Sequence, residues 1–191
     1  MTPLPDTLLE AVASAAVREG LADAIFTRLS TPLGRLLVVQ GERGIVRIGF
    51  EEEAEDALLA EVAGKLGPRI VASDRELTTT RDTISAYLEG EGDRLDLPVD
   101  LELVHAPFRH KVLETLHDTV ARGEVVTYGK LAARSGNPKA FRAAASACAR
   151  NPVPLVVPCH RVVPSSGGIG NYGGGAQRKE ALLRLEGVTG L

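Results

Sequence analysis

Residues 127–163 read TYGKLAARSGNPKAFRAAASACARNPVPLVVPCHRVV, and this stretch sets the architecture of the second half of the chain. Thr127 carries the hydroxyl that caps a helix N-terminus, so a helix is expected over Tyr128–Arg134. Ser135-Gly136-Asn137 makes a tight turn, with Gly136 suited to the left-handed position that ends a helix. Pro138 stands where a helix begins, and Lys139–Arg150 is expected to be that helix. Two short helices joined by a glycine turn form the helix-turn-helix pattern. Asn151-Pro152-Val153-Pro154 stops the second helix. Leu155-Val156-Val157 then reads as a brief apolar strand, leading to Pro158-Cys159-His160-Arg161-Val162 as extended chain.

Outward from this stretch, Pro107–Val120 is expected to be a helix, with Phe108, Val112, Leu113 and Leu116 apolar. Ser165–Gly175 holds six glycines and must be a loop, and Ala176–Glu186 is a final helix ended by Gly187. Upstream of Leu103–Pro107 the pattern changes. A helix over residues 7–20 comes first, followed by strands Ala24–Ser30, Arg35–Gln40 and Ile45–Phe50 separated by turns. Helices Glu53–Leu66 and Glu76–Glu89 follow, with a short strand Arg69–Ala72 between them. Gly90–Asp96 is polar, and Pro98 argues against a central strand nearby. The expected fold is α+β. Residues 1–104 form a small α/β domain, an antiparallel sheet plus helices with an additional N-terminal helix. Residues 105–191 form a mostly helical helix-turn-helix domain. The first domain shows no ligand motif.

A chain of 191 residues buries roughly two thirds of its unfolded surface and needs neither metal nor disulfide to fold. Two cysteines, Cys148 and Cys159, are too few for a disulfide framework, which points to a reducing cytosol. No run approaches the ~18 apolar residues of a membrane span. Met1–Asp6 has neither the basic nor the apolar region of a secretory signal. A cytoplasmic monomer without membrane contact is expected. The net charge of −3 hides an asymmetry. Residues 1–104 hold 10 Lys+Arg and 20 Asp+Glu, a net of −10; residues 105–191 hold 12 and 5, a net of +7. A basic half points to a nucleic-acid face, with chance segregation of solvated charge as the competing account.

Cys159 carries the chemistry. An ordinary cysteine, of pKa about 8.5, is only a few per cent thiolate at neutral pH, so a nucleophilic one needs basic neighbours and a proton acceptor. His160 is adjacent and Arg161 adds positive charge. Neighbouring side chains in extended chain point opposite ways, so the proton path from sulfur to imidazole runs through water. A lone cysteine is more often a small buried hydrophobe. Beside His and Arg, between prolines that fix the backbone, Cys159 reads as a nucleophile, with its pKa expected to fall to about 6. A histidine base needs an orienting acid, and Glu186 is the candidate, although residue type alone reads it as a solvated helix-end carboxylate.

The string Asn151–Val163, with Gly170-Asn171-Tyr172 downstream, resembles the active-site signature of the O6-alkylguanine-DNA alkyltransferase family. The likeness runs from Pro107 to Gly187, and more loosely over Ala24–Phe50. It implies a ribonuclease-H-like first domain and a winged-helix-like second. It also implies direct reversal of DNA damage. An alkyl group moves irreversibly from O6-alkylguanine, with O4-alkylthymine as a second candidate, to Cys159 in a single turnover, with base flipping and no cofactor or metal. His160 would take the thiol proton through water, and Glu186 would hold His160. Tyr128 would donate a hydrogen bond to the leaving guanine. Arg142 would enter the duplex in place of the flipped base, with Asn137, Lys139, Ala143 and Ala144 around it on the minor groove. Asn151 would brace the turn before the cysteine. Tyr172 and the amide of Gly173 would face O6, Arg161 would sit with the substrate contacts, and the carbonyls of Cys159 and Val162 would accept from the exocyclic amine.

The chain departs from relatives in having Gly173 where some have Ser, no zinc-binding Cys/His set in the first domain, and no Trp at Lys111–Leu116. The physics agrees with the assignment. A base inside a duplex must be flipped out, at a few kcal/mol, and an inserted side chain offsets the unstacking. The small residues Ala143–Ala147 let a helix approach a narrow groove, or else pack it into a core. A non-catalytic damage binder would lack the cysteine. A transcription regulator would carry polar residues where Ala143–Ala147 stand. A Cys-His hydrolase would need an oxyanion hole and a third member.

Overall fold

Thr31 pairs with Gly34 and Gly41 with Gly44, so two-residue turns join strands β1 (Ala24–Thr31), β2 (Gly34–Gly41) and β3 (Gly44–Phe50) into an antiparallel meander. The structure is a computed structural model that describes residues 5–92 and 95–190. Gly44 has φ of +146°, and a Cβ there would lie 2.5 Å from the Pro98 carbonyl oxygen, so only glycine fits. Helix α2 (Glu55–Leu66) carries the chain from β3 to β4 (Ile70–Ala72), which pairs with β1 in parallel. The sheet order is β3-β2-β1-β4. The expected antiparallel sheet is therefore mixed, because a helical crossover returns the chain in the same direction. One face of the sheet buries Ala24, Phe26, Leu37, Val39 and Val46 against Leu58 and Val62 of α2.

The N-terminal helix α1 (Asp6–Arg18) belongs to this unit through polar clamps. Glu10 accepts from the Ser73 hydroxyl at 2.7 Å and the Asp74 amide at 2.8 Å, while the Ser14 hydroxyl donates to Glu76 at 2.6 Å. Contacts group the chain up to Ser85 with Leu97–Leu103, and Ala86–Asp96 with everything from Val104 onward. The division falls inside α3 (Thr78–Leu88). A linear cut at 104/105 does not capture this grouping, since Ala86–Asp96 goes with the second unit.

In the second unit, α4 (Pro107–Thr119), α5 (Tyr128–Arg134) and α6 (Phe141–Ala149) pack together around Val112, Leu113, Leu116, Leu131, Ala144 and Ala147. Thr127 caps α5 by accepting from the Lys130 amide at 3.2 Å. Gly136, at φ +91°, ends it: the amides of Gly136 and Asn137 return to the carbonyls of Ala133 and Ala132. Helix α6 starts at Phe141, two residues later than expected. The Asn137 side chain captures the Lys139 amide and its carbonyl takes that of Ala140, which makes 137–140 a separate turn. Strands β5 (Val126–Thr127) and β6 (Val162–Val163) pair in parallel, and α7 (Ala176–Leu185) closes the unit.

Two expectations around the cysteine fail. Leu155-Val156-Val157 is a turn, not a strand: the Val157 amide bonds the Val153 carbonyl, and buried Leu155 has φ of +74°. Asn151 enforces the curl, with its oxygen accepting from the Val153 amide and its nitrogen donating to the Val157 carbonyl. Cys159–Arg161 is a 3-10 turn rather than extended chain, with the Arg161 amide on the Pro158 carbonyl. Among the described residues, no helix is long and apolar enough to cross a membrane.

Candidate active site

Cys159 lies where the curl imposed by Asn151 meets the 3-10 turn. It is 4% exposed and lines a cavity of about 540 Å³ with Tyr128 of α5, Ala145, Ser146 and Ala149 of α6, and Tyr172 and Gly173 of the glycine-rich loop. That volume falls in the range of small-molecule pockets. Residues 145, 146 and 149 share a helix face with Arg142, by i, i+3, i+4, i+7 spacing. The small side chains of α6 thus have two jobs. Ala145, Ser146 and Ala149 form pocket wall, and Ala144, with no exposure, is core. The expectation that Ala144 contacts DNA is corrected by that burial. Asn137, Lys139 and Arg142 are exposed, and Ala143 is half-buried.

The Asn151 amide nitrogen donates to the Cys159 sulfur at 3.1 Å. Burial pushes the thiol up to about 11, against the opposing pull of this hydrogen bond and the Lys179 ammonium. This direction is opposite to the expected fall to about 6. Solvent exclusion outweighs the neighbouring charge, and Arg161 does not aim its charge at sulfur. The Arg161 guanidinium instead grips Glu186, Nε to Oε2 at 2.9 Å and Nη2 to Oε1 at 3.0 Å, and donates to the Val120 carbonyl at 2.7 Å. Its expected place among the substrate contacts is corrected accordingly.

His160 has no exposure, and its Nε2 lies 2.7 Å from Glu186 Oε1. The Tyr87 hydroxyl donates to the same carboxylate. Burial alone would raise the Glu186 pKa, but hydrogen bonds from His160, Arg161 and Tyr87 hold it well below the usual carboxylate range. For His160, burial lowers the pKa more than Glu186 raises it, which favours the neutral ring. A neutral ring that donates Nε2–H to a carboxylate leaves Nδ1 as an acceptor, and Nδ1 is buried with no partner among the described residues. Tyr172 packs edge-on to His160, with ring centres 6.3 Å apart. Tyr128 is half-buried, and burial with the two nearby sulfurs raises its pKa, so it remains a protonated donor. A Cβ at Gly173 would meet nothing within 4 Å among the described residues, so the pocket is open there.

Two residues of the site escaped the sequence. Lys179 has no exposure, and its ammonium donates to the Val162 carbonyl at 2.6 Å and the Asn171 carbonyl at 3.3 Å. It joins β6 to the glycine-rich loop and engages one lone pair of the Val162 carbonyl, leaving the second. The available signal was spacing: Lys179, Leu182, Leu183 and Glu186 fall at i, i+3, i+4, i+7, placing both charged groups on the apolar stripe of α7. Tyr87 is remote in sequence and ordinary in composition, and no local pattern marks it.

Comparison with known proteins gives consistent matches. Residues 107–188 match the family described as 6-O-methylguanine DNA methyltransferase, DNA binding domain, and residues 24–101 match 6-O-methylguanine DNA methyltransferase, ribonuclease-like domain. The methylated-DNA--protein-cysteine methyltransferase of Rattus norvegicus is 39% identical over 177 residues, covering 85% of this chain and 82% of that one. The protein of the same name from Homo sapiens is 39% identical over 170 residues, covering 84% and 79%. The crystal structure of Mycobacterium tuberculosis O6-methylguanine methyltransferase superposes with a TM-score of 0.72 at 30% identity, covering 85% of this chain and 92% of that one.

Proposed function

Because the chain belongs to the 6-O-methylguanine DNA methyltransferase family, we propose that Cys159 is the residue on which its reaction ends. The reaction is DNA repair by transfer of a methyl group from methylated DNA to a protein cysteine. The observation that carries the assignment is the cavity wall. Cys159 shares it with the Tyr128 phenol, while the Asn151 amide points at the sulfur and the His160–Glu186 pair lies behind. Cys148 lines the same cavity, but burial and the neighbouring sulfur push its thiol far up.

The sulfur attacks the alkyl carbon, an S–C bond forms, and the C–O6 bond breaks with its electron pair passing to guanine. The proton leaves Cys159 for His160 Nδ1 through a bridging water, and Glu186 balances the imidazolium. Tyr128 donates to the departing base, which spares it a full negative charge. The thioether that results is not a hydrolysable ester, so each molecule acts once. A base within a duplex reaches this cavity only by flipping out. Arg142 fills the gap from the minor groove, with Lys139 and Asn137 beside it. The protein works as a monomer in the reducing cytoplasm, which keeps the thiol free. Tyr172, the Gly173 amide and the carbonyls of Cys159 and Val162 fix the guanine edge.

Mass spectrometry after mixing with duplex O6-methylguanine DNA tests this reading. One methyl should be added per molecule, on the peptide holding Cys159, and none with Cys159→Ser. Repeated turnover, or a methyl only on Cys148, would overturn it.

A further inference from the structure

Helix α6 opens with two exposed side chains that touch. Phe141 is 50% exposed, and the Arg142 guanidinium carbon lies 5.5 Å from its ring centre. Among the described residues Phe141 is the one exposed aromatic; the other large apolar side chains this exposed are Leu8, Leu9, Val12 and Leu21, in and just after α1. Helical side chains tilt toward the helix N-terminus. Phe141 is the first residue of α6, and it is half-exposed although Ala144 and Cys148, three and seven residues on, are buried. The exposed Asn137, Lys139 and Arg142 are close to it in sequence, in the half of the chain with a net charge of +7. Half-exposing a phenyl ring forgoes stabilisation that burial would supply. A polar residue at this surface position would forgo none.

We propose that Phe141 is an aromatic wedge that enters the DNA duplex together with Arg142 as a single stacked blade. The proposal rests on the reading of the cavity as the receptor of a flipped alkylguanine. A flipped base leaves a gap with base faces above and below it. A guanidinium supplies donors to the hydrogen-bonding edges left behind but offers little apolar surface. A phenyl ring supplies that surface, and it stacks on any base because every base has a π-face. Contact between guanidinium and ring also restricts Arg142 before it meets DNA. The two side chains thus divide the task. Arg142 satisfies polar edges, and Phe141 replaces lost stacking without demanding a particular sequence.

The test compares Phe141→Ala, Phe141→Leu and Phe141→Trp with wild type in two reactions: methyl transfer from duplex O6-methylguanine DNA, and benzyl transfer from free O6-benzylguanine. Loss of one stacked base contact predicts that Phe141→Ala slows the duplex reaction roughly tenfold. Phe141→Leu should fall between, Phe141→Trp should match wild type, and all four should react alike with the free base, which also shows that they are folded. In a Cys159→Ser background, 2-aminopurine placed beside the lesion should show less unstacking on binding when Phe141 is Ala. Equal duplex rates for Ala and wild type would overturn the wedge. So would full activity of the Leu variant, equal slowing of the free-base reaction, or a change only in self-association. If wild type gains neither a methyl group from the duplex nor a benzyl group on Cys159, the underlying reading of the cavity fails, and the wedge with it.

Discussion

His160 Nε2 and Glu186 Oε1 meet at 2.7 Å with both side chains shut off from solvent, and the same carboxylate takes two hydrogen bonds from Arg161. Removing the charge of Glu186 leaves Arg161 buried without its partner, which for buried pairs costs about 3–5 kcal/mol. Glu186→Gln should therefore lower stability at neutral pH and slow transfer. The sign with pH follows from the Glu186 pKa, held well below the usual carboxylate range in the fold. Its stabilisation is fully present above the unfolded value of about 4.5 and is lost as pH falls toward the folded one. Denaturant midpoints of the two proteins should converge below about pH 4.5. A gap that stays constant down to pH 3 would contradict the pairing.

The Cys159 thiol, pushed up to about 11 by burial, is overwhelmingly protonated in the free protein. If the thiolate attacks, transfer to free O6-benzylguanine should accelerate as pH rises from 7 toward 10, approaching tenfold per unit. Asn151→Ala removes a hydrogen bond that favours the thiolate, so it should raise the thiol pKa further and slow transfer at pH 7, with partial recovery at pH 10. Thiolate absorbance against pH is the direct measurement. A wild-type midpoint near 6 would show that solvent reaches the sulfur far more than its 4% exposure allows.

The pattern of the chain made the helix-turn-helix legible because Thr127, Gly136 and the prolines act locally. The capping bonds of Thr127 and the left-handed Gly136 are properties of a few adjacent residues. The turn at Leu155 was not legible, since three apolar residues with high strand preference are overridden by one side chain, Asn151, reaching six residues ahead to the Val157 carbonyl. The proposed nucleophile and its acid were visible as residue types, but their electrostatics were not. Adjacent Arg161 suggested an acidified sulfur, whereas its guanidinium serves Glu186 and the sulfur is buried. Tyr87 belongs to the same network through a hydrogen bond spanning 99 positions, a separation no local rule reaches.

Lys179 ties the carbonyls of Val162 and Asn171 together from inside α7, so it governs the loop that carries Tyr172 and Gly173. Lys179→Met keeps the length and the apolar contacts but leaves both carbonyls without this donor, at a cost of about 1–3 kcal/mol. It also withdraws a positive charge that lowers the Cys159 pKa. The variant should slow transfer from both duplex and free base, and proteolysis should cut within residues 164–175 sooner than in wild type. Unchanged cleavage together with unchanged rates would reduce Lys179 to a filler of space.

DNA binding through residues 105–191 should depend steeply on salt, because the net charge of +7 in that half draws phosphates and releases their counterions. A plot of log affinity against log salt should fall with a slope near −0.9 for each phosphate neutralised. Lys139→Ala should flatten that slope by about one if its exposed ammonium meets a phosphate. Arg142→Ala should do something different. The side chain is exposed at the start of α6, on the face that continues into the pocket wall at Ala145, Ser146 and Ala149. If it fills the gap left by a flipped base, its loss should slow transfer from duplex DNA far more than from free O6-benzylguanine, because only the duplex must be unstacked. A duplex in which the lesion faces an abasic site, already partly unstacked, should recover much of the rate. Equal slowing on duplex, abasic duplex and free base would place Arg142 in the pocket chemistry instead of the duplex, and the flipping role would fall.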